Sequence, residues 1–364
     1  MRIGLFTFSQ SNYGAVLQAF ALQRYLREQP GVNVEIIDFT TPIHLKDQKI
    51  FRKPKSAHLV SRIVYYLFTL FRYHQLKQRL SKTIEFKKKY FHYTRRFSSV
   101  EDVLENYPQE DVYITGSDQV FNPNAQFYPV YYLGFDKGNA KKVAYAPSFG
   151  ISAFNDEITA RIEHYIMDFD YLSCREPAGA EYLKLIVGCD VPVVVDPVLL
   201  YDAKEWSKIA ISPQFKKDFI LIYDLNGAEK LLLIAKKIQA QKHLPIVCLT
   251  GNRTKIYPVC KQVYDAGPAE FIGWIKDASF VVTDSFHGTV FSIIFRKQFF
   301  TFVALENTSS RIRSILSKVG LEKRIVSISD VENLDYSDYH GKTISTLDDI
   351  ISDSKKYIDC FLSC

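Results

Sequence analysis

Short apolar segments alternate with amphipathic segments from the first residues of the chain onward. Residues 2–8 and 34–39 are apolar and rich in β-prone side chains, whereas residues 15–28 carry apolar side chains at helical spacing. This order predicts a β-α-β unit. The alternation continues with predicted strands at 112–115, 142–146, 171–174 and 191–195 and predicted helices at 156–169 and 176–186. Such a series is typical of a parallel sheet covered by helices.

A second alternating series follows a polar stretch at residues 201–217, where we predict the linker between two domains. Its predicted strands are 219–223, 246–249, 280–283 and 299–303, and its predicted helices are 227–241, 268–277 and 288–295. At 364 residues the chain is also longer than a single hydrophobic core usually extends. The predicted fold class is therefore α/β, with two Rossmann-like doubly wound domains at 1–200 and 215–330 and a C-terminal helix at 340–364. Ligands are expected in the cleft between the domains, outside the carboxyl ends of the strands.

Positive charge is concentrated in one segment of the first domain. Residues 46–96 contain 15 Lys or Arg and two acidic residues, a net charge of +13, while the rest of the chain has a net charge of −7. Aromatic and aliphatic side chains alternate with these charges, which predicts a basic helical insertion at about 46–99. The insertion either binds an anionic membrane surface or is a hairpin with its apolar face in the core and its lysines in solvent. Nucleic-acid binding is disfavoured because no recognised motif accompanies the charge.

Composition and cysteine usage narrow the class of protein. The chain is 47% hydrophobic and 24% charged, as expected of a folded globular protein. Neither a membrane-spanning run of ~20 apolar residues nor an export signal is visible. The six cysteines form no C-x-x-C pair, and neither they nor the eight histidines have metal-site spacing. We therefore expect a cytoplasmic protein with reduced thiols and no metal, held peripherally at the inner face of the cytoplasmic membrane if the insertion binds lipid.

The segment around His287 predicts an anion site. An apolar strand runs into a short polar turn and then into a helix that begins near His287, Gly288 and Thr289. Free backbone N–H groups and the positive end of the helix dipole favour an anion there. A histidine beside such a site can act as a general acid at neutral pH. The alternative is that Asp284 or Ser285 caps the helix and His287 packs locally.

A second motif places an arginine at the end of a strand. Ser173-Cys174-Arg175-Glu176-Pro177 ends an apolar strand with a proline at the start of the next helix. Arg175 can bind a carboxylate or phosphate through its two-pronged guanidinium, or it can pair with a neighbouring acid. Cys174 lies inside the predicted strand without an evident base, which argues against a nucleophile.

Two further loops follow predicted strands and are polar. The loop at 9–15 contains Asn12, Tyr13 and Gly14 and lacks the glycine patterns of dinucleotide-binding and P-loop sites. The loop after residue 115 contains Asp118 and Gln119, whose side chains offer the acceptor and donor that sugar hydroxyls need. The alternative is a turn that binds no ligand.

Together these pieces resemble the polysaccharide pyruvyl transferase family, from residue 1 to about residue 325. The resemblance rests on residues 12–19 (NYGAVLQA), 116–119 (GSDQ), 145–150 (YAPSFG), 173–176 (SCRE), 196–197 (DP) and 284–288 (DSFHG). It implies two Rossmann-like domains arranged as in the GT-B glycosyltransferases. It also implies transfer of a pyruvyl group from phosphoenolpyruvate onto two hydroxyls of a sugar as a ketal, with phosphoenolpyruvate as co-substrate and no other cofactor. The donor-binding arginine and the histidine of the family would be Arg175 and His287.

The chain departs from the family pattern at Ser285. Many members carry an arginine two residues before the histidine, so one donor contact is missing or comes from elsewhere, with Arg311 or Arg313 as candidates. The predicted donor-binding residues are Arg175, Ser285, Gly288, Thr289, Arg311 and Arg313, and the predicted acceptor-binding residues are Asn12, Tyr13, Gly14, Ser117 and Gln119. His287 is the predicted general acid, and Asp118 is a candidate base.

The implied reaction begins when a sugar hydroxyl adds to C2 of the enolpyruvyl group as C3 is protonated. Phosphate then leaves, and a second hydroxyl closes the ketal. The implied acceptor is a sugar of a surface polysaccharide, which is free, nucleotide-linked or lipid-linked. Two alternatives remain from the sequence: a GT-B glycosyltransferase that uses a sugar nucleotide, and a carbohydrate-binding relative without catalytic activity. A nucleotide-binding signature would favour the first, and binding without phosphate release would favour the second.

Overall fold

The computed structural model describes residues 1–9, 12–39, 49–52, 58–123, 129–151, 153–225, 227–251, 256–303, 310–337 and 342–363. Several positions named above lie outside these ranges. They are residues 10 and 11 of the first loop, residues 46–48 and 53–57 of the predicted basic insertion, residues 340 and 341 at the start of the predicted C-terminal helix, and residue 364 at its end.

The first sheet has six parallel strands in the order β3-β2-β1-β4-β5-β6. They are β1 Arg2–Phe6, β2 Asn33–Phe39, β3 Tyr93–Phe97, β4 Val112–Gly116, β5 Lys141–Tyr145 and β6 Tyr171–Leu172. In the centre Ile3 lies in register with Val34 on one side and Val112 on the other, and all three are buried. Because both faces are covered, these strands are apolar runs rather than alternating ones.

Helices connect the strands of the first sheet. They are α1 Tyr13–Arg27, α2 Leu59–Phe71, α3 Tyr73–Tyr90, α4 Val100–Asn106, α5 Asp156–Ile166 and α6 Pro177–Val187. Helix α1 begins where Asn12 Oδ1 accepts a hydrogen bond from the Ala15 N–H at 2.7 Å, which satisfies one of the unpaired donors of the first turn. Pro177 at the start of α6 removes another.

The second sheet is also six-stranded and parallel, in the order β12-β11-β10-β7-β8-β9. Its strands are β7 Ile220–Asp224, β8 Ile246–Thr250, β9 Lys261–Val263, β10 Phe280–Thr283, β11 Gln298–Phe302 and β12 Ile325–Val326. The helices that follow the first domain are α7 Ala203–Ser207, α8 Glu229–Lys242, α9 Pro268–Asp277, α10 Phe286–Ile294, α11 Ser310–Lys318 and α12 Lys342–Leu362. Helix α12 returns to the first sheet, where the Tyr357 hydroxyl donates to the Ala144 carbonyl at 3.0 Å.

The predicted α/β class with two Rossmann-like domains is confirmed, while some predicted elements are wrong. Residues 191–195 form no named strand but a single bridge between Val193 and Cys174. Residues 93–97, predicted within the helical insertion, form β3 at the edge of the first sheet. The short strands β9 and β12 were not predicted because two or three residues carry too little periodicity.

Helix α3 of the insertion packs against both domains. Lys82 Nζ lies 3.1 Å from Glu270 Oε1 of α9 and donates to the Asp265 carbonyl at 3.0 Å. The Arg72 guanidinium, next to α3, lies 4.2 Å from the ring centre of Tyr264. The insertion is therefore helical as predicted, but part of its charge joins the two domains rather than facing solvent. Within the described part of the chain, no helix is long and apolar enough to cross a membrane.

Candidate active site

Polar side chains from both domains meet where the two sheets face each other. Ser117 and Asp118 follow β4, Arg175 follows β6, and Asp196 begins the connection to the second domain. His287 comes from the first turn of α10 in the second domain, and Arg311 comes from the first turn of α11. These six side chains lie in one cluster, at the carboxyl ends of parallel strands, as expected of α/β folds.

Asp196 is the centre of this cluster. Its side chain is fully buried, and Oδ2 accepts hydrogen bonds from Arg175 Nη1 and, at 3.3 Å, from the Ser117 hydroxyl. His287 Nε2 lies 3.5 Å from the same oxygen. Burial alone raises the pKa of Asp196, but His287 and Arg175 outweigh it and hold the pKa well below its ordinary value. The carboxylate is therefore ionised and orients both partners.

Arg175 is held in place but keeps donors unused. Its backbone N–H donates to the Pro147 carbonyl at 3.1 Å, and its guanidinium lies 4.7 Å from the ring centre of Phe286. Asp118 Oδ1 is 3.6 Å from Nη2. Nε and Nη2 are buried without a hydrogen-bond partner among the described residues. Arg175 thus makes the ion pair that was one interpretation of the sequence and still presents two donors to a ligand.

Arg311 approaches the same ring and the same carboxylate. Its Nη1 lies 3.8 Å from Asp118 Oδ1, and its guanidinium is 5.7 Å from the ring centre of Phe286. Nε is buried and has no hydrogen-bond partner among the described residues. Burial, and then the neighbouring positive charge of Arg175, lower the pKa of Arg311. Both arginines stay protonated. An anion between the two guanidinium groups would therefore offset the cost of burying Arg311 and its repulsion by Arg175.

A cavity of about 20 Å³, the room of a single water molecule, lies beside these arginines. Arg175, Asp196 and Phe286 line one side, and α11 lines the other with Arg311, Ser314 and Lys318. Lys318 is partly buried, and burial lowers its pKa. Within the described ranges its ammonium group has neither a hydrogen bond nor an ion pair. Sequence reasoning missed Lys318, although the spacing of residues 311, 314 and 318 places them on one face of a helix.

His287 lies against the backbone of α1 from the other domain. A Cβ atom added at Gly14 would be 2.1 Å from His287 Nδ1, so only glycine permits this approach. Nε2 is buried and has no hydrogen bond within the described part of the chain. Gly14, predicted to bind the acceptor, therefore positions the imidazole ring.

The helix that carries His287 satisfies much of its own N-terminus. Ser285 Oγ accepts from the Gly288 N–H at 3.3 Å, and the Thr289 hydroxyl is within 2.8 Å of the Thr301 hydroxyl on β11. Gly288 packs against Thr283 and Tyr223. The side chains of Ser285 and Thr289 are thus engaged in capping and packing inside the second domain. Donor binding by these two residues stays a prediction.

The remaining predicted residues are distributed around the cluster. Tyr13 is buried between the domains, where its hydroxyl donates to the Ala266 carbonyl at 2.8 Å and its ring stacks on Phe271. Asn12 caps α1 at the surface. When the Gln119 amide is oriented so that both its groups are satisfied, its oxygen accepts from Arg311 Nη1 at 3.2 Å. The Tyr13 hydroxyl thus binds the second domain, and its assignment to the acceptor stays a prediction.

Arg313 lies outside the cluster. It is exposed on the opposite face of α11, where it lines a separate pocket with Glu322 and Asp330. A helix turns by about 200° over two residues, so Arg311 and Arg313 cannot both reach one site. Of the two candidates for the missing arginine, the structure places only Arg311 beside Arg175.

Two buried carboxylates were missed as site residues. One is Asp196, at the centre of the cluster. Glu176 Oε1 accepts from the Ser148 hydroxyl at 2.7 Å and from the Phe149 N–H at 3.0 Å, which fixes the turn after β5. Asp196 belongs to the motif Asp196-Pro197, and Glu176 belongs to the motif Ser173-Cys174-Arg175-Glu176. Membership in these motifs was the sequence signal that could have identified both residues. No cluster of three or more His, Cys, Asp or Glu side chains suited to a metal ion occurs in the part of the chain that the structure describes.

Known structures with a similar fold include UDP-N-acetylglucosamine 2-epimerases. UDP-N-acetylglucosamine 2-epimerase from Rickettsia bellii is 10% identical, with a TM-score of 0.54 over 100% of this chain and 96% of that chain. UDP-GlcNAc 2-epimerase from Neisseria meningitidis, bound to UDP-GlcNAc, is 9% identical, with a TM-score of 0.50 over 97% and 99%. At these identities the likeness concerns the fold alone.

Sequence comparisons give the family. No curated protein matches the chain. The family model described as polysaccharide pyruvyl transferase matches residues 12–304. This range runs from the capping residue of α1 to just beyond β11 and includes Arg175, Asp196 and His287, whereas β1, β12 and Arg311 lie outside it. The chain belongs to the polysaccharide pyruvyl transferase family.

Proposed function

We propose that this protein transfers the pyruvyl group of phosphoenolpyruvate onto two hydroxyls of a sugar as a ketal, with release of phosphate. One observation carries the proposal. Within the described residues, Arg175 Nε and Nη2 and Arg311 Nε are buried donors without hydrogen-bond partners, and they belong to a single cluster. Buried donors are costly to leave unpaired, so a ligand rich in acceptor oxygens is expected there.

The cluster offers an anionic donor unused hydrogen-bond donors rather than a net positive charge. Arg175 and Arg311, with Lys318 beside them, contribute three positive charges, and Asp118, Asp196 and Glu176 contribute three negative charges. Phosphoenolpyruvate carries a phosphate and a carboxylate, and the planar guanidinium groups can bind each of them with two hydrogen bonds. We assign Arg175 and Arg311 to the donor, with Arg311 supplying the contact that Ser285 does not.

The proposed reaction uses these residues in three steps. An acceptor hydroxyl adds to C2 of phosphoenolpyruvate while His287 delivers a proton to C3, which converts the methylene group into a methyl group. The C2–O bond to phosphate then breaks, and the second hydroxyl forms the second C–O bond at C2. One hydroxyl proton restores His287, and the other leaves with the phosphate. Arg175 and Arg311 would stabilise the charge that develops on the phosphate.

The acceptor side rests on fewer contacts. Asp118 follows β4 and lies near Arg175 and Arg311; it is our candidate for the base that takes up a hydroxyl proton before that proton returns to His287. Gln119, which contacts Arg311, and Asn12, which caps α1, are the polar side chains of the two loops that we assign to the acceptor. We propose a sugar of a surface polysaccharide as the acceptor, free or lipid-linked, and a cytoplasmic reaction at the inner face of the membrane.

A direct experiment separates this function from nucleotide-sugar chemistry. The purified full-length protein is tested by thermal shift with phosphoenolpyruvate, UDP-N-acetylglucosamine, GDP-mannose and inorganic phosphate. It is then incubated with phosphoenolpyruvate and a panel of saccharides while phosphate is measured, and the products are analysed by mass spectrometry. We expect stabilisation by phosphoenolpyruvate beyond that by phosphate, and a product that carries one pyruvate ketal. Stabilisation by a sugar nucleotide alone would contradict the proposal.

A further inference from the structure

Helix α2 exposes an unusually apolar face. Seven of its residues are aliphatic or aromatic side chains with between 37% and 85% of their surface exposed: Leu59, Val60, Ile63, Val64, Leu67, Leu70 and Phe71. Their spacing places them along one side of the helix. Isolated apolar side chains are common on protein surfaces, but a contiguous stripe of this kind marks an interaction surface. We call these seven residues the α2 stripe.

The orientation of α2 is fixed by its other side. Thr69 is buried, and Phe68 lies 5.1 Å beneath the Arg72 guanidinium, which also contacts Tyr264 of the second domain. The polar and aromatic contacts of the helix thus face the protein, and its most apolar side chains face outward. This is the reverse of the pattern that a surface helix of a globular protein shows.

The charge around the α2 stripe is positive. Residues 59–90 contain eight Lys or Arg and one acidic residue, Glu85. Three of the cations are engaged inside the protein: Arg72 with Tyr264, Arg79 with the ring of Tyr13, and Lys82 with Glu270. Burial lowers the pKa of a fourth, Lys87, to about 8. Four remain at the surface, Arg62, Lys77, Lys88 and Lys89.

We propose that the α2 stripe docks on an anionic lipid bilayer, with the helix lying in the plane of the headgroups. A 13-residue helix is ~20 Å long, so it can lie in the interface but cannot cross an apolar layer ~30 Å thick. Buried apolar area and the surrounding cations both add to such binding. A second copy of the chain is the less favourable occupant, because two surfaces of the same charge would meet. The proposal stands independently of the pyruvyl transfer.

The test is flotation of the full-length protein with vesicles. Vesicles of phosphatidylglycerol and phosphatidylcholine are compared with vesicles of phosphatidylcholine alone, at about 0.05 M and 0.5 M salt. We expect binding to the anionic vesicles at low salt, at least tenfold weaker binding at high salt, and little binding to phosphatidylcholine. Equal binding to both vesicle types, or none to either, overturns the proposal.

Two sets of variants assign the binding to this helix. Leu67→Glu in the α2 stripe should weaken binding at least tenfold, whereas Leu185→Glu, at a leucine of α6 that is even more exposed, should not. Lys88→Glu with Lys89→Glu should weaken binding to anionic vesicles only. Unchanged binding of Leu67→Glu overturns the assignment. The assignment is also overturned if sedimentation shows a dimer that Leu67→Glu dissociates while lipid binding stays the same. Phosphate release from phosphoenolpyruvate in solution, measured on the same variants, reports the proposed function separately.

Discussion

At the scale of residues, a single carboxylate lies beside two of the side chains to which we assign the reaction. Asp196 contacts Arg175 and lies 3.5 Å from His287, and Gly14 from the other domain leaves space for the imidazole ring. The sequence predicted Arg175 and His287 from their places at the end of a strand and the start of a helix. It could not predict their shared partner, because periodicity and local motifs do not report which loops meet across a cleft.

His287→Gln tests the role of the imidazole ring. Glutamine can still donate a hydrogen bond toward Asp196, so we expect phosphoenolpyruvate to bind with little change. Turnover should fall by ~100-fold or more, the usual contribution of a general acid. Rates of phosphate release and calorimetric titrations measure the two effects. His164→Gln, at an exposed histidine of α5, is the control. Near-normal turnover of His287→Gln would leave the ring with a packing role only.

A second buried carboxylate makes stability depend on pH. Asp224 ends β7, and burial, reinforced by Asp284, raises its pKa from 3.8 to about 6. Because the folded-state pKa lies above the unfolded value, the folded form favours the protonated acid. The stability that Asp224 contributes is therefore full below about pH 4 and is lost as the pH rises through about 6.

Asp224→Asn should remove this pH dependence. The free energy of unfolding of the variant, minus that of the natural chain, should rise between about pH 4 and about pH 7 by up to about 3 kcal/mol. The substitution also alters the hydrogen bonds of residue 224 to Thr250 and Gly227. That effect is the same at every pH, so it cancels when the stability difference at one pH is subtracted from that at another. Chemical denaturation at several pH values gives the result. A difference that does not change with pH would show that Asp224 does not titrate in this range.

At the scale of elements, the two faces of helix α11 line different pockets. Arg311, Ser314 and Lys318 line the pocket, and Arg313 faces a second pocket. The sequence proposed both arginines for the donor without predicting α11. Once the helix is known, its 3.6-residue period decides between them. The same limit explains why the insertion was predicted as helical while the contacts of α3 with α9 were not.

Lys318→Met should weaken donor binding while sparing the chemistry. We expect KM for phosphoenolpyruvate to rise by ~10-fold or more, the effect of one lost charge-assisted contact, with kcat changed by less than about threefold. Methionine keeps the apolar stem and removes the charge. Arg313→Met, on the opposite face of the same helix, is the matched control and should leave both parameters unchanged. A loss of kcat with KM unchanged would place Lys318 in a different role.

The whole molecule brings the two halves of the site together through several contacts. Trp206 of the predicted linker packs against Phe20 of α1 and Phe291 of α10, and Arg24 pairs with Glu205 at 2.8 Å. Alternating apolar and amphipathic segments were enough to predict two parallel sheets, because each segment carries its own period. Contacts between the domains depend on distant residues and leave no periodic trace in the sequence.

The central claim is that Arg175 and Arg311 form the binding site of phosphoenolpyruvate. Isothermal titration calorimetry of the natural chain, Arg175→Met and Arg311→Met with phosphoenolpyruvate tests it, with Arg161→Met on the surface of α5 as the control. Loss of one charge-assisted contact is worth ~1.5 to 3 kcal/mol, so each site variant should bind about 10- to 100-fold more weakly and the control should bind normally. Absence of binding to the natural chain, or equal binding to all four proteins, would contradict the claim.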